Sequence, residues 1–213
     1  MPEAGRRRDT GAVLIVGGGV AGMHASLILA EAGVRVFLVD SSPACGGLVT
    51  LLDRTFPTPN CGVCNMAIPG QAYCPMIEVS RHPLISVMTN SRVKNVRGKA
   101  GDFTVAIERK PEYVNQGLCD SCGRCEEVCP VEVDMLAYTG MPPRKAIYRP
   151  SHRSLPGAFV LDDSSCDRCG KCVEVCPTAS IDLDAEPREV EVRVSAVIAS
   201  PGLGHYDPAA RCE

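Results

Sequence analysis

A chain of 213 residues has room for one ordinary hydrophobic core plus a small module, and a formal net charge of −3 with mixed signs gives no electrostatic case for nucleic acid or an anionic membrane. The total of 13 cysteines is odd, and Met1 to Thr10 is charged and carries no apolar signal segment, so a disulfide framework is not expected and a reducing, cytoplasmic setting is. Thr10 to Ala30 lacks Asp, Glu, Lys and Arg, but five glycines interrupt it; it reads as buried sheet and helix, with no transmembrane segment expected.

The first element is Ala12 to Gly17, a short β-branched run of the kind that forms a parallel strand buried on both faces. Gly17-Gly18-Gly19-Val20-Ala21-Gly22 then satisfies G-x-G-x-x-G, and Met23 to Ala32 predicts a helix stopped by Gly33. A second strand, Val34 to Val39, closes on Asp40 and Ser41. In such a unit the first glycine permits the tight turn and the second lets backbone approach a pyrophosphate. The third lets the helix pack against the strand, and the acid accepts hydrogen bonds from the adenosine ribose. Asp40 disfavours a 2′-phosphate, because like charges would meet there. Gly46-Gly47 follows six residues later, and this acid followed by Gly-Gly resembles flavoproteins of the glutathione and thioredoxin reductase type; the resemblance favours FAD over NAD.

Residues 53 to 83 are rich in turn formers and predict a loop region with at most one short helix. Cys45, Cys61, Cys64 and Cys74 are numerous enough for a third iron–sulfur cluster; a Cys61/Cys64 dithiol facing the flavin and four unlinked cysteines are the other readings. Strands resume at Leu84 to Thr89 and at Phe103 to Glu108, the second alternating apolar and polar positions.

The most specific feature comes next. Cys119-x-x-Cys122-x-x-Cys125-x-x-x-Cys129-Pro130 recurs as Cys166-x-x-Cys169-x-x-Cys172-x-x-x-Cys176-Pro177, with the Asp after the first cysteine and the Gly after the second also repeated. Three closely spaced thiolates grip one [4Fe-4S] cube and the fourth ligates the other cube. By that rule one cluster takes Cys119, Cys122, Cys125 and Cys176, and the second takes Cys166, Cys169, Cys172 and Cys129. Structural zinc sites pair two C-x2-C knuckles and have no use for the third cysteine or the Cys-Pro. The link between the two runs, residues 131 to 165, reads as a proline-rich loop.

Glu189 to Val194 alternates again, and Ser195 to Ala199 is an apolar run suited to the parallel sheet. The cysteine repeat therefore reads as inserted between two strands of a flavin domain. Ala199-Ser200-Pro201-Gly202 stands where two-dinucleotide-domain flavoproteins read Ala-Thr-Gly, and Gly202 is the expected point of close approach to FAD.

With these motifs stand Leu52-Asp53-Arg54-Thr55-Phe56-Pro57-Thr58, Arg81-His82-Pro83, Tyr113-Val114, Cys129-Pro130-Val131-Glu132-Val133 and Arg144-Lys145-Ala146-Ile147-Tyr148. Together they resemble the N-terminal part of the heterodisulfide reductase A-subunit family. The resemblance implies an α/β fold: a Rossmann-like, thioredoxin-reductase-like FAD domain (residues 1–110 and 186–213) carrying an inserted α+β bacterial-type 2[4Fe-4S] ferredoxin (residues 111–185). It implies a cytoplasmic oxidoreductase component that works in a complex with other subunits and a redox partner protein. FAD there couples two-electron chemistry to single electrons on the cubes, and no side chain is needed as acid or base. A relay subunit without a functional flavin, and a dithiol reductase using Cys61 and Cys64, are the competing expectations.

Overall fold

The computed structural model describes residues 11–51, 74–134, 143–151 and 155–203. Strand β1 (Val13–Val16), helix α1 (Val20–Glu31) and strand β2 (Val36–Val39) form the expected strand-turn-helix-strand unit. After a 3₁₀ turn (Gly47–Leu51) come helix α2 (Pro75–Arg81) and strand β3 (Ile85–Met88). Strands β4 (Ser91–Lys99) and β5 (Asp102–Arg109) make a hairpin, and β10 (Arg188–Val194) and β11 (Ala196–Ala199) close the fold.

Four strands pair in parallel in the order β11-β1-β2-β3, and β10-β5-β4 form a separate antiparallel sheet. The apolar runs of β1 and β2 are explained by period-two alternation between two cores. Val13, Ile15, Val36 and Leu38 pack with Met23 and Leu27 of α1, whereas Leu14 and Val39 pack with Val105, Ile107, Val192 and Val194 of the antiparallel sheet. Leu14 is wholly buried at the second interface, so Leu14→Ala is expected to cost about 2–5 kcal/mol in chemical unfolding of the full chain; a loss below about 0.5 kcal/mol would contradict this layering.

Helix α1 ends as the sequence predicts. Gly33 takes a left-handed conformation (φ 83°) and its N–H donates to the carbonyl of Ala30 at 2.9 Å. Strand β4 is a feature that periodicity does not reveal. It is largely exposed, has a bulge between Val93 and Asn95, and is held by cross-strand pairs of Arg92 with Glu108 and of Lys94 with Glu189.

Strands β5 and β10 are antiparallel neighbours with Arg109 opposite Arg188, so residues 110–187 leave and return at one edge. Within this segment lie helix α3 (Arg124–Val128) and helix α4 (Lys171–Glu174). The proline-rich link is more ordered than a plain loop. Its described residues form β6 (Glu132–Val133) against β7 (Arg144–Lys145), and β8 (Ile147–Tyr148) against β9 (Val160–Leu161). Arg144 stabilises the link by donating to Asp162 at 2.5 Å and stacking 4.1 Å from the centre of the Tyr148 ring. Burial tends to raise the Asp162 pKa, but hydrogen bonds from Ser164, Arg144 and Ser165 outweigh it and bring it down to about 2. The depressed value means that this pairing stabilises the fold above the ordinary aspartate range and is lost as pH falls toward 2.

Candidate functional site

The nucleotide turn is built from close backbone approaches. A Cβ on Gly22 would lie 1.8 Å from the Gly17 carbonyl oxygen, which is why α1 can start so near β1. Gly17 has φ 107°, and a Cβ there would stand 2.1 Å from the carbonyl oxygen of Ser200. Ser200 N–H donates to Val16 at 2.7 Å, so the segment after β11 lies directly against the turn. The Ser200 carbonyl fills the space that the missing side chain of Gly17 leaves, and the Cβ position of Gly202, two residues on, is open to 4 Å.

Gly19 is the N-cap of α1, and the position of a Cβ on it is open to 4 Å. Val20 and Ala21 begin the helix, whose free N–H groups and positive dipole end favour an anion at this opening. Gly46 N–H donates to the Gly18 carbonyl at 2.8 Å, and a Cβ on Gly47 would be 3.2 Å from Gly19 Cα, so the Gly-Gly pair returns to the same turn. Asp40 receives Gly18 N–H on Oδ2 at 2.6 Å and Ser42 N–H on Oδ1 at 2.7 Å. An ionised carboxylate has about four lone-pair sites, so these two bonds fix Asp40 at the turn and leave capacity for ribose hydroxyls. Ser41 is exposed beside it. The donor set fits a dinucleotide.

Cys45 lies beneath this turn, 3 % exposed, in the same apolar cluster as Cys74, Met23, Met76 and Val79. Burial, with a smaller contribution from Asp40, pushes its thiol up to about 12. Cys61 and Cys64, the other two cysteines considered for a third cluster, lie outside the described residues.

In residues 110–187 the sequence repeat becomes a structural one. Asp120 Oδ1 accepts Cys122 N–H at 3.1 Å, and Asp167 Oδ1 accepts Cys169 N–H at 3.2 Å, which explains the repeated aspartate. Gly123 (φ 85°) and Gly170 (φ 78°) turn left-handed to start α3 and α4, which explains the repeated glycine. The ends are joined by a bridge between Val114 and Ile181 and by Asn115 N–H donating to Ser180 at 2.8 Å.

Cys119, Cys122, Cys125 and Cys176 line one cleft, closed on its apolar side by Val114, Phe159 and Ile181. The cysteine from the distant repeat therefore joins the first trio. Cys129 and Cys172 share the apolar cluster with Cys119, Cys125 and Cys176, and Cys166 and Cys169 are close enough to Cys172 to oppose its ionisation. Among the described residues no three His, Cys, Asp or Glu side chains converge as they would on a single ion. Cys119, Cys122, Cys125 and Cys176 line their cleft from several sides, a donor set that fits a cube.

Burial pushes the Cys125 thiol up to about 12 and raises that of Cys172. Buried thiols of this kind fit iron ligation, because a coordinating metal supplies the positive charge that deprotonates them. At Cys176 burial also acts upward, but hydrogen bonds from Ser180 and Thr178 prevail and lower it to about 7. Ser180 and Thr178 are site residues that the cysteine spacing alone does not reveal; comparing the residues after each Cys-Pro finds them.

Two family models match the chain, FAD dependent oxidoreductase over residues 12–60 and 4Fe-4S dicluster domain over residues 118–181. The chain thus combines part of a flavin-dependent oxidoreductase domain with an iron–sulfur dicluster domain. It is 45% identical over 204 residues to the second iron-sulfur A-subunit of the CoB--CoM heterodisulfide reductase of Methanopyrus kandleri, covering 96% of this chain and 30% of that protein. It is 37% identical over 200 residues to the A-subunit of the H(2):CoB-CoM heterodisulfide,ferredoxin reductase of Methanothermobacter marburgensis, covering 94% of this chain and 29% of that protein. Over nearly its whole length the chain is a homologue of heterodisulfide reductase A-subunits, and it spans about 30% of the length of these curated relatives. No helix among the described residues is long and apolar enough to cross a membrane.

Proposed function

We propose that the chain is the flavin and iron–sulfur electron-transfer part of a heterodisulfide-reductase-like oxidoreductase complex, with a ferredoxin module of about residues 111–185 inserted into an FAD domain formed by residues 1–110 and 186–213. The observation that carries this reading is the cleft rimmed by Cys119, Cys122, Cys125 and Cys176 on a segment that leaves and rejoins the sheet system of the nucleotide turn at the paired ends of β5 and β10. When bound, FAD exchanges electron pairs and single electrons on one ring, and each cube carries one electron at a time.

The chain's own residues bind and hold. Gly17, Gly18, Gly19 and Gly22 shape the opening that would take the phosphates, Asp40 with Ser41 would hold the ribose, and Gly46 and Gly47 would line the path of the pyrophosphate. Gly202 follows Ser200 at the β11 end of the same turn. Cys119, Cys122, Cys125 and Cys176 hold one cube, and Cys166, Cys169, Cys172 and Cys129 hold the other. Ser151 Oγ donating to the Thr50 carbonyl at 2.8 Å, Cys45 N–H donating to Leu155 at 2.8 Å and Gln116 Nε2 donating to Thr89 Oγ1 at 3.2 Å fix the module against the nucleotide domain. These bonds tie the module to the nucleotide domain, as a relay between the two would require. The other subunits and a redox partner protein complete the complex, in a cytoplasmic setting.

Anaerobically purified full chain is expected to contain one FAD and about eight irons. Eight irons without flavin would leave a relay subunit only, and about twelve irons would add a cluster on Cys45, Cys61, Cys64 and Cys74. Fewer than about four irons would overturn the proposal.

A further inference from the structure

The two halves of the cysteine repeat part company just after Cys-Pro. Counting from the last cysteine, positions +2 and +4 are Val131 and Val133 in the first half but Thr178 and Ser180 in the second. The backbone diverges at the same place. Glu132 and Val133 extend into β6, whereas Ala179 is left-handed (φ 48°), and its N–H closes a turn on the Cys176 carbonyl at 3.2 Å. A non-glycine residue rarely adopts that conformation, and here it folds the chain back under the sulfur.

The result is a sulfur surrounded by donors. Ser180 N–H points at Cys176 Sγ at 3.3 Å, Ser180 Oγ lies 3.3 Å from it and Thr178 Oγ1 lies 3.6 Å from it. Ser180 is 4 % exposed while Thr178 and Cys176 are half-buried, so water competes least for the two bonds from Ser180. The matching sulfur of Cys129 meets the carbonyl oxygen of Val131 at 3.9 Å, an acceptor that gives a ligating thiolate nothing. The second quartet has Arg168 N–H to Cys166 Sγ at 3.3 Å, and backbone hydrogen bonds favour the thiolates of Cys125 and Cys172 alike in the two halves. The Arg168 guanidinium is exposed and paired with Asp163 at 2.6 Å, so its charge is largely neutralised and screened.

Reducing a [4Fe-4S] core by one electron adds negative charge that is shared with the ligand sulfurs, and a hydrogen bond to sulfur stabilises the more negative state. We propose that Thr178 and Ser180 hold the cube on Cys119, Cys122, Cys125 and Cys176 at a higher potential than the cube on Cys166, Cys169, Cys172 and Cys129, so that it takes the first electron. Thr178 and Ser180 are positioning residues that act through Cys176. The inference rests on the two-cube reading above and adds an order to it.

The test is a dithionite titration of the anaerobic, iron-loaded full chain, each cube taking one electron and read by low-temperature EPR. Two separate midpoints are expected. In the Thr178→Val, Ser180→Ala double variant the higher midpoint should fall until the reduced-to-oxidised ratio at its former value has dropped about tenfold, equivalent to ~59 mV for one electron, while the lower stays in place. The variant Val131→Thr with Val133→Ser should leave both midpoints in place, because the backbone there extends into β6 instead of folding back under Cys129. Midpoints that stay fixed in the Thr178→Val, Ser180→Ala variant, or that move together in either variant, overturn this inference alone. Absence of both cube signals from the unmodified chain overturns the two-cube reading and this inference with it.

Discussion

Alanine at Cys176 removes the same cube as alanine at Cys125, and alanine at Cys129 removes the same cube as alanine at Cys172. Each single substitution should take iron from about eight to about four per chain and abolish one of two EPR signals. The pairing is the informative part. Cys176 is remote in sequence from Cys119, Cys122 and Cys125, yet it lines their cleft together with Phe159 and Ile181, so its loss opens that site and leaves the other intact. Sequential ligation predicts the opposite partners, with Cys129 grouped with Cys119, Cys122 and Cys125. Variants assayed by iron content and EPR separate the two arrangements without any need for a physiological donor.

Alanine at Gly19 should abolish flavin retention while leaving the fold untouched, and alanine at Gly22 should damage both. At Gly19 a Cβ meets nothing within 4 Å in the structure, so stability should change by less than about 0.5 kcal/mol. That open space is where a pyrophosphate would approach the backbone, and a methyl group placed in it should weaken FAD binding on the order of 100-fold. At Gly22 a Cβ would collide with the Gly17 carbonyl oxygen at 1.8 Å, forcing α1 away from β1; overpacking of this kind costs about 1–3 kcal/mol and withdraws the helix terminus as well. Flavin fluorescence after gel filtration and urea unfolding read the two effects separately. Full flavin retention in Gly19→Ala would contradict the assignment of this turn as the phosphate site.

Much of the fold and the site is visible in the residues, for identifiable reasons. The cysteine repeat fixes its own geometry because metal ligation tolerates little variation in spacing. The nucleotide unit is equally plain, since β1 and β2 are apolar on both faces and α1 is bounded by Gly19 and Gly33. The pairing of Glu189–Val194 with Phe103–Glu108 follows from matching alternation. What escapes sequence reasoning has little periodicity to show. Strand β4 carries Arg92, Lys94 and Arg97 along an exposed edge, and β6 to β9 are two-residue ladders held partly by the Arg144 contacts. The approach of Ser200 to Gly17 depends on backbone atoms, which the Ser-Pro departure from the flavoprotein pattern obscures. Thr178 and Ser180 become visible only when the halves of the repeat are compared past the last cysteine.

If thiolates from opposite halves of the repeat cross to hold two cubes within a chain that also binds FAD, anomalous diffraction at the iron edge from crystals of the anaerobic holoprotein shows it directly. Two iron clusters are predicted, one bonded to the sulfurs of Cys119, Cys122, Cys125 and Cys176 and the other to those of Cys166, Cys169, Cys172 and Cys129, with FAD electron density at Gly17–Gly22. Iron bonded to Cys129 together with Cys119, Cys122 and Cys125, or single metal ions in place of the clusters, would contradict it.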